Sequence, residues 1–538
     1  GARFSATMTI VLNFACGAFL LLYDKKRSSS LVQKNRAASW ATKEDVISLS
    51  IVLLLTVAIA IIQFGYPVVL NFETTDPAVH LNDSMQLLDG ASIAGQYSTH
   101  MICACFIAIV SPFLGSDGML VSFVVSETVL LFLSGAMFYA VLAAYCSRTG
   151  WLVRVLLCFF YLIGYPLNNY IFGFSYWGFS ITIICALLFL AKTLPVKSFE
   201  SSILIAIILF DLMISYSLFV PITYLSVFIW LIVQYRREKL ALLSAIKRLC
   251  IVFLFPVIAG FLIVFLGIFG STGAGGVSSA ITNVGYSYKN LFSDFVPLAP
   301  LGIYGAIVNK KNNPFLVLFS VLFLVFSFAL LVLGLLNLVS AYYFSKVYAV
   351  VWLVFFVFAA MGIQSLKEKN LAVLASYCAI WALVLFLAVS GIDNKISSSR
   401  QEFAPTPTAR AYFPLYEFNY RMLPYEEKDS DILELLDEAE SHGEAGVDYE
   451  FIGSDSLIAW SIPLVDNRKP FYWWNFSDQD VIDYCLGYEY LVMDHGAIAI
   501  GSQINGIDHT PMRDEILSYY DPVFSNEAGT IYRKKQAE

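Results

Sequence analysis

The chain has 538 residues, 58% of them hydrophobic and 14% charged, with a mean hydropathy of +0.70; an ordinary soluble domain runs at about 45–50% apolar and about 25% charged. That balance argues against a soluble globular protein, and the confinement of Lys and Arg to short clusters between apolar runs argues against nucleic acid as a partner. The net charge of −8 comes mainly from residues 393–538, which hold one of the nine cysteines, so neither a disulfide framework in that segment nor a CxxC zinc site is available.

A helix needs about 20 apolar residues to cross the hydrocarbon core of a membrane. In chain order such runs fall at 5–23, 47–70, 118–146, 151–166, 174–192, 200–219, 220–234, 248–269, 294–308, 314–342, 346–364 and 370–391, which predicts about twelve transmembrane helices. The first run lacks a small-residue cleavage site and reads as a helix, not a signal peptide. The apolar run 101–112 is too short for a span and reads as re-entrant or interfacial.

Alternate loops carry the basic residues, among them Lys25, Lys26, Arg27, Arg148, Lys192, Arg236, Arg237, Lys310 and Lys367, while the opposite set holds essentially Lys289 and Lys346. The positive-inside rule puts the first set in the cytoplasm. The loops 71–117, 167–173 and 270–293, and everything after the last helix, are then extracytoplasmic, in a multi-pass protein of the cell membrane.

After a Pro-containing linker at 397–407 the pattern changes. Helical spacing at 431–440, 478–486 and 512–520 alternates with predicted strands at 456–463, 488–493 and 529–533. Alternation of this kind predicts a small α/β domain. The expected organisation is a polytopic α-helical transmembrane domain over 1–392 and a soluble extracytoplasmic domain over 393–538.

The first outside loop concentrates chemistry in a chain otherwise poor in charge. Glu73, Asp76, His80 and Asp83 fall within eleven residues directly after a predicted span. Pro77 suits the first turn of a helix capped by Asp76, and the i, i+4, i+7 spacing of Asp76, His80 and Asp83 puts them on one face. A carboxylate with a nearby histidine is what general-base chemistry on a hydroxyl needs. The same trio offers ligands for a divalent metal, which the sequence permits without requiring, and an N-capped interfacial helix with a solvated face is the plain alternative.

The two outside lysines are candidates for holding a phosphate, with snorkelling at the membrane interface as the alternative for each. Lys289 follows Tyr286 and Tyr288, and Lys346 follows Tyr342 and Tyr343 and precedes Tyr348; these tyrosines suit a sugar or lipid cleft and equally an interfacial aromatic belt. Asn168 and Asn169, between two predicted helices, offer amides for sugar hydroxyls or form an ordinary turn. Asp211 lies inside the run 200–219 and is either functional or a hydrogen bond between helices. In the tail, the aromatic cluster Phe471, Tyr472, Trp473 and Trp474 suits core packing or stacking on sugar.

A carboxylate in the first outside loop, just after an early transmembrane helix, resembles the GT-C type membrane glycosyltransferases. The resemblance covers the whole architecture, with many spans, a long first outside loop bearing surface helices, and a soluble C-terminal domain outside. It matches Asp76 to the family's catalytic acidic position, with Asp83 second. It departs in the extra predicted helix at 5–23 and in lacking an Asp-Asp or Asp-Glu pair in the loop. The resemblance implies transfer, with inversion, of a sugar from a polyprenyl-phosphate donor to a glycan or lipid acceptor at the outer membrane face. A transporter or flippase of lipid-linked precursors is the competing expectation, and would show inverted repeats and several intramembrane charges. A membrane scaffold displaying the tail is a third.

Overall fold

The structure, a computed structural model, describes residues 42–65, 68, 72, 76–91, 96–114, 118–196, 198–262, 299–390, 429–444, 449–453, 455–466, 471, 473, 476–495 and 509–535. The predicted first helix at 5–23, the linker, Glu73, Tyr288 and Lys289 lie outside the described residues.

The polypeptide is mostly helical. The first described helix, α1 (Lys43–Phe64), opens with a reciprocal cap in which Thr42 accepts from the Asp45 amide and Asp45 accepts from the Thr42 amide. Two short helices follow, α2 (Asp76–Leu88) and α3 (Ser98–Val110). The long α4 (Gly118–Tyr145) leads to a pair, α5 (Trp151–Leu162) and α6 (Tyr165–Ile171), that meets at a bend of 42°. Next come α7 (Ser175–Thr193), α8 (Phe199–Ser215), α9 (Val220–Arg237) and α10 (Leu242–Leu262). After the gap run α11 (Ala299–Asn309), α12 (Pro314–Leu335), α13 (Ala341–Lys369) and α14 (Leu371–Ser390).

Seven of the described helices are long and apolar enough to cross a membrane, and eight spans result if the bent pair counts as one. Against the twelve spans expected from the sequence, several runs fold shorter. Pro166 and the break after Leu162 divide the run 151–166 into α5 and α6, and the described part of the run 294–308 is the 11-residue α11. Helix α11 compensates by close approach. A Cβ at Gly305 would lie 1.9 Å from the Phe358 carbonyl oxygen, and one at Gly362 would lie 2.5 Å from that of Leu301. Glycines on both helices thus bring α11 and α13 backbone to backbone, as small residues do between membrane helices.

The tail forms α15 (Asp429–Glu444), β1 (Tyr449–Phe451), α16 (Asp455–Ser461), α17 (Asp478–Cys485), β2 (Tyr490–Asp494), α18 (Thr510–Ser518), β3 (Tyr520–Ser525) and β4 (Gly529–Lys534). The four strands make one sheet in the order β1-β2-β4-β3, with β1 parallel to β2 and the other pairs antiparallel. One expectation is corrected here: 456–463 is not a strand but the helix α16 continued by a π-turn over Ile462–Asp466. Leu457, Ile458, Ala459 and Trp460 are four consecutive buried residues, a pattern that fits a helix enclosed on all sides as well as a buried strand. Trp460 stacks on Phe72, just before α2, with ring centroids 5.8 Å apart. The tail therefore packs directly on the segment that carries the acidic helix.

Candidate functional site

Helix α2 begins where the sequence places it. Asp76 is exposed in its first turn and Pro77 is buried. Pro77 seats against Gly173, whose φ of +68° is a conformation that glycine adopts freely. A Cβ there would come within 2.1 Å of Pro77 Cγ, so Gly173 fixes how closely α2 approaches the bundle.

One turn further, His80 is buried and meets His100 at the start of α3, Nδ1 to Nε2, at 2.8 Å. His100 Nδ1 donates to Gln96 Oε1 at 2.6 Å, and the Gln96 side chain also hydrogen-bonds Asp83. A carboxylate only accepts, so the Gln96 amide N–H points to Asp83 and its oxygen to His100. His100 therefore carries its proton on Nδ1 and offers a lone pair on Nε2. His80 must donate from Nδ1, which leaves His80 Nε2 as a lone pair, buried and without a hydrogen-bond partner. Burial, and then the nearby Lys346 charge, push His80 down to about 4. Burial with His80 beside it holds His100 well below the usual range. Both rings are neutral at pH 7. Asp83 goes the other way: burial raises its carboxyl to about 6, with the Gln96 hydrogen bond opposing.

The opposite wall comes from more than 240 residues later in the sequence. Lys346, on α13, is 1% exposed. Its ammonium sits 3.7 Å from the centre of the Phe174 ring, 3.9 Å from Trp177, 4.9 Å from Tyr342 and 5.5 Å from Tyr176. It has no hydrogen-bond acceptor. The ammonium is enclosed in an aromatic box and does not snorkel to the surface. Its charge acts on both Asp76 and His80. Tyr97 closes the gap between the walls: it stacks on Tyr176 at 4.4 Å, stands edge-on to His80 at 6.2 Å, and burial followed by Tyr342, Asp83, Tyr343 and Asp76 raises its hydroxyl to about 12. Asp76, His80, Asp83, Lys346, Tyr342 and Tyr343 are therefore one neighbourhood.

Other candidates fall elsewhere. Tyr348 is buried, with its ring 6.3 Å from that of Tyr165. Asn168 and Asn169 are not in a turn but in α6, both buried. Asn169 lines a small cavity with Glu127, Ser134, Tyr170 and Ser175, and neither polar atom of its amide has a hydrogen-bond partner. The cavity offers about 20 Å³ for a water centre, about one water. Glu127, in the middle third of α4, is a buried carboxyl that hydrogen-bonds Ser175. Asp211 accepts from Ser215 at 3.4 Å, and Ser98 hydrogen-bonds both residues, so Asp211 ties α8 to α3. In the tail, Trp473 is core: it donates to the Gly453 carbonyl at 2.9 Å and is 4% exposed.

Sequence reasoning missed His100, Gln96, Tyr97, Tyr176, the box around Lys346 and Glu127. The histidine pair lies 20 residues apart on separate helices, so no periodic spacing reveals it. Glu127 is visible as one carboxylate inside an apolar run, where averaging over a window hides it. Compared with known protein families and with curated proteins, the chain matches none.

Proposed function

We propose that the chain is a glycosyltransferase of the GT-C kind, multi-pass in the cell membrane. In this reading it moves a sugar from a polyprenyl-phosphate donor to a glycan or lipid acceptor at the outer face, where α2, α3 and the tail lie. One observation carries the reading: the exposed carboxylate of Asp76 and the buried ammonium of Lys346 lie within electrostatic reach of each other, brought together from opposite ends of the helical region.

The proposed chemistry uses the two groups in different ways. The acceptor hydroxyl attacks the anomeric carbon and passes its proton to Asp76. The bond from that carbon to the phosphate oxygen breaks, and the polyprenyl phosphate leaves with the electron pair. Lys346 is sealed beneath aromatic rings, so its charge offsets the growing phosphate charge through a low-dielectric interior and not through contact. Tyr342 and Tyr343, half-buried above it, would line the sugar cleft.

The test is sugar transfer by purified protein with a panel of polyprenyl-phosphate sugars, comparing wild type with Asp76→Asn. Loss of general-base assistance lowers the rate by about 10²–10⁴-fold. Transfer that survives in a folded Asp76→Asn protein moves the base to Asp83 or to the bare His80 Nε2. Absence of transfer with every donor leaves the flippase reading, which the buried Glu127 supports as a carboxyl within an apolar helix, in addition to the half-buried Asp211; a vesicle flipping assay then decides.

A further inference from the structure

We infer that His80, Asp83 and His100 form a binding site for a divalent first-row transition ion, with zinc the best match to the donor set. One donor atom from each residue lies within 4.8 Å of the others. Two imidazoles and a carboxylate are ligands that zinc takes in catalytic sites, where three protein donors leave a position open for water or substrate oxygen. Asp76 is not among the three, so the trio spaced along α2 is replaced by a pair from α2 and one donor from α3.

The geometry is close to that of a liganded site. The facing nitrogens of His80 and His100 are 2.8 Å apart; tetrahedral coordination at about 2.05 Å asks for about 3.3 Å between them. The rings need to part by about half an ångström. Coordination also needs the lone pair of His80 Nδ1, so that proton moves to Nε2, the buried ring nitrogen that has no partner in the structure. His100 Nε2 already offers its lone pair, because Gln96 holds the proton on Nδ1. Gln96 is the outer support that metal-binding histidines commonly have: it fixes the His100 tautomer and orients the Asp83 carboxylate at once. The relay brings two imidazoles and an oriented carboxylate together, Asp83 Oδ2 lying 3.7 Å from His100 Nδ1, on helices held by the seat of Pro77 on Gly173.

The site adjoins the proposed transfer centre, but its test does not read activity. Full-length protein in detergent is stripped with chelator, then titrated with Co²⁺ by visible absorption and with Zn²⁺ by calorimetry. One equivalent of either ion per chain is expected, with Zn²⁺ displacing Co²⁺. His100→Gln and Asp83→Asn each weaken binding at least 100-fold, Gln96→Ala weakens it about 10–100-fold, and Asp76→Asn retains it. Size-exclusion profiles and thermal unfolding establish that each variant is folded; Asp83→Asn keeps the size of the side chain and serves if His100→Gln does not fold. No stoichiometric ion on the wild-type protein, or equal affinity in folded His100→Gln and Asp83→Asn, overturns the site. Ion binding without sugar transfer retains this site and removes the proposed function; transfer without ion binding does the reverse.

Discussion

Phe174 lies beneath the ammonium of Lys346 at 3.7 Å, and the lysine meets π-faces in place of any carboxylate or carbonyl. Cation–π contact with several rings offsets part of the cost of burying the charge, each ring contributing on the order of 0.5–2 kcal/mol. In the proposed transfer reaction it is this group that acts on the leaving phosphate.

Lys346→Met tests that directly. The thioether fills a similar volume and removes the buried charge, so the unfolding temperature holds or rises. Transfer falls on the order of 100-fold as the electrostatic stabilisation of the leaving phosphate is lost. A thermal melt and the donor-transfer assay on one preparation check both halves; a fall in melting temperature with unchanged transfer contradicts the role.

Gly173→Ala places a methyl where Pro77 sits and strains a left-handed backbone. Strain of this kind costs about 1–3 kcal/mol. The expected result is a folded protein in which α2 is displaced. Transfer then drops more than the melting temperature implies, both read on one preparation; a fall in transfer no larger than the loss of stability accounts for contradicts the displacement.

Phe72→Ala and Trp460→Ala each remove one side of the stack between the first loop and the tail. A double-mutant cycle on unfolding in detergent is expected to give a coupling of about 0.5–1.5 kcal/mol. Either variant also exposes the tail to limited proteolysis. A coupling of zero means the two rings do not act on each other.

Glu127→Gln keeps the hydrogen bond to Ser175 and the shape of the cavity wall, so stability changes by less than about 0.5 kcal/mol. Glu127→Ala leaves Ser175 and the Asn169 amide facing a larger void and costs about 1–3 kcal/mol. Chemical denaturation of the two variants side by side separates a neutral hydrogen-bonding carboxyl from a charge the protein needs: if the amide is as damaging as the alanine, the ionised form matters.

Much of this layout is legible in the sequence, and the failures have physical causes. Helix α2 announces itself because Asp-Pro fixes its start and His80 and Asp83 fall three residues apart on a turn. The long apolar helices are legible because nothing else suits such runs. Strand β3 is not, since Pro522 within it lacks a ladder donor; the structure places β3 at the sheet edge, where proline is tolerated. Strand β1 is three residues long and too brief for any period. His100 joins the site through tertiary packing alone, which no local pattern records, and Lys346, singled out as one of two outside lysines, owes its aromatic box to the same packing.

The stack of Trp460 on Phe72 also bears on how the protein is made. The acidic helix is synthesised before Lys346, and the helix that covers Phe72 comes later still. During synthesis the acidic helix exists without its lysine and without its cover, so a nascent chain halted anywhere before Asp455 carries the carboxylates yet no finished site. Formation of α16 is then the event that covers Phe72, and a chain terminated before Asp455 leaves that apolar ring for quality-control machinery to find.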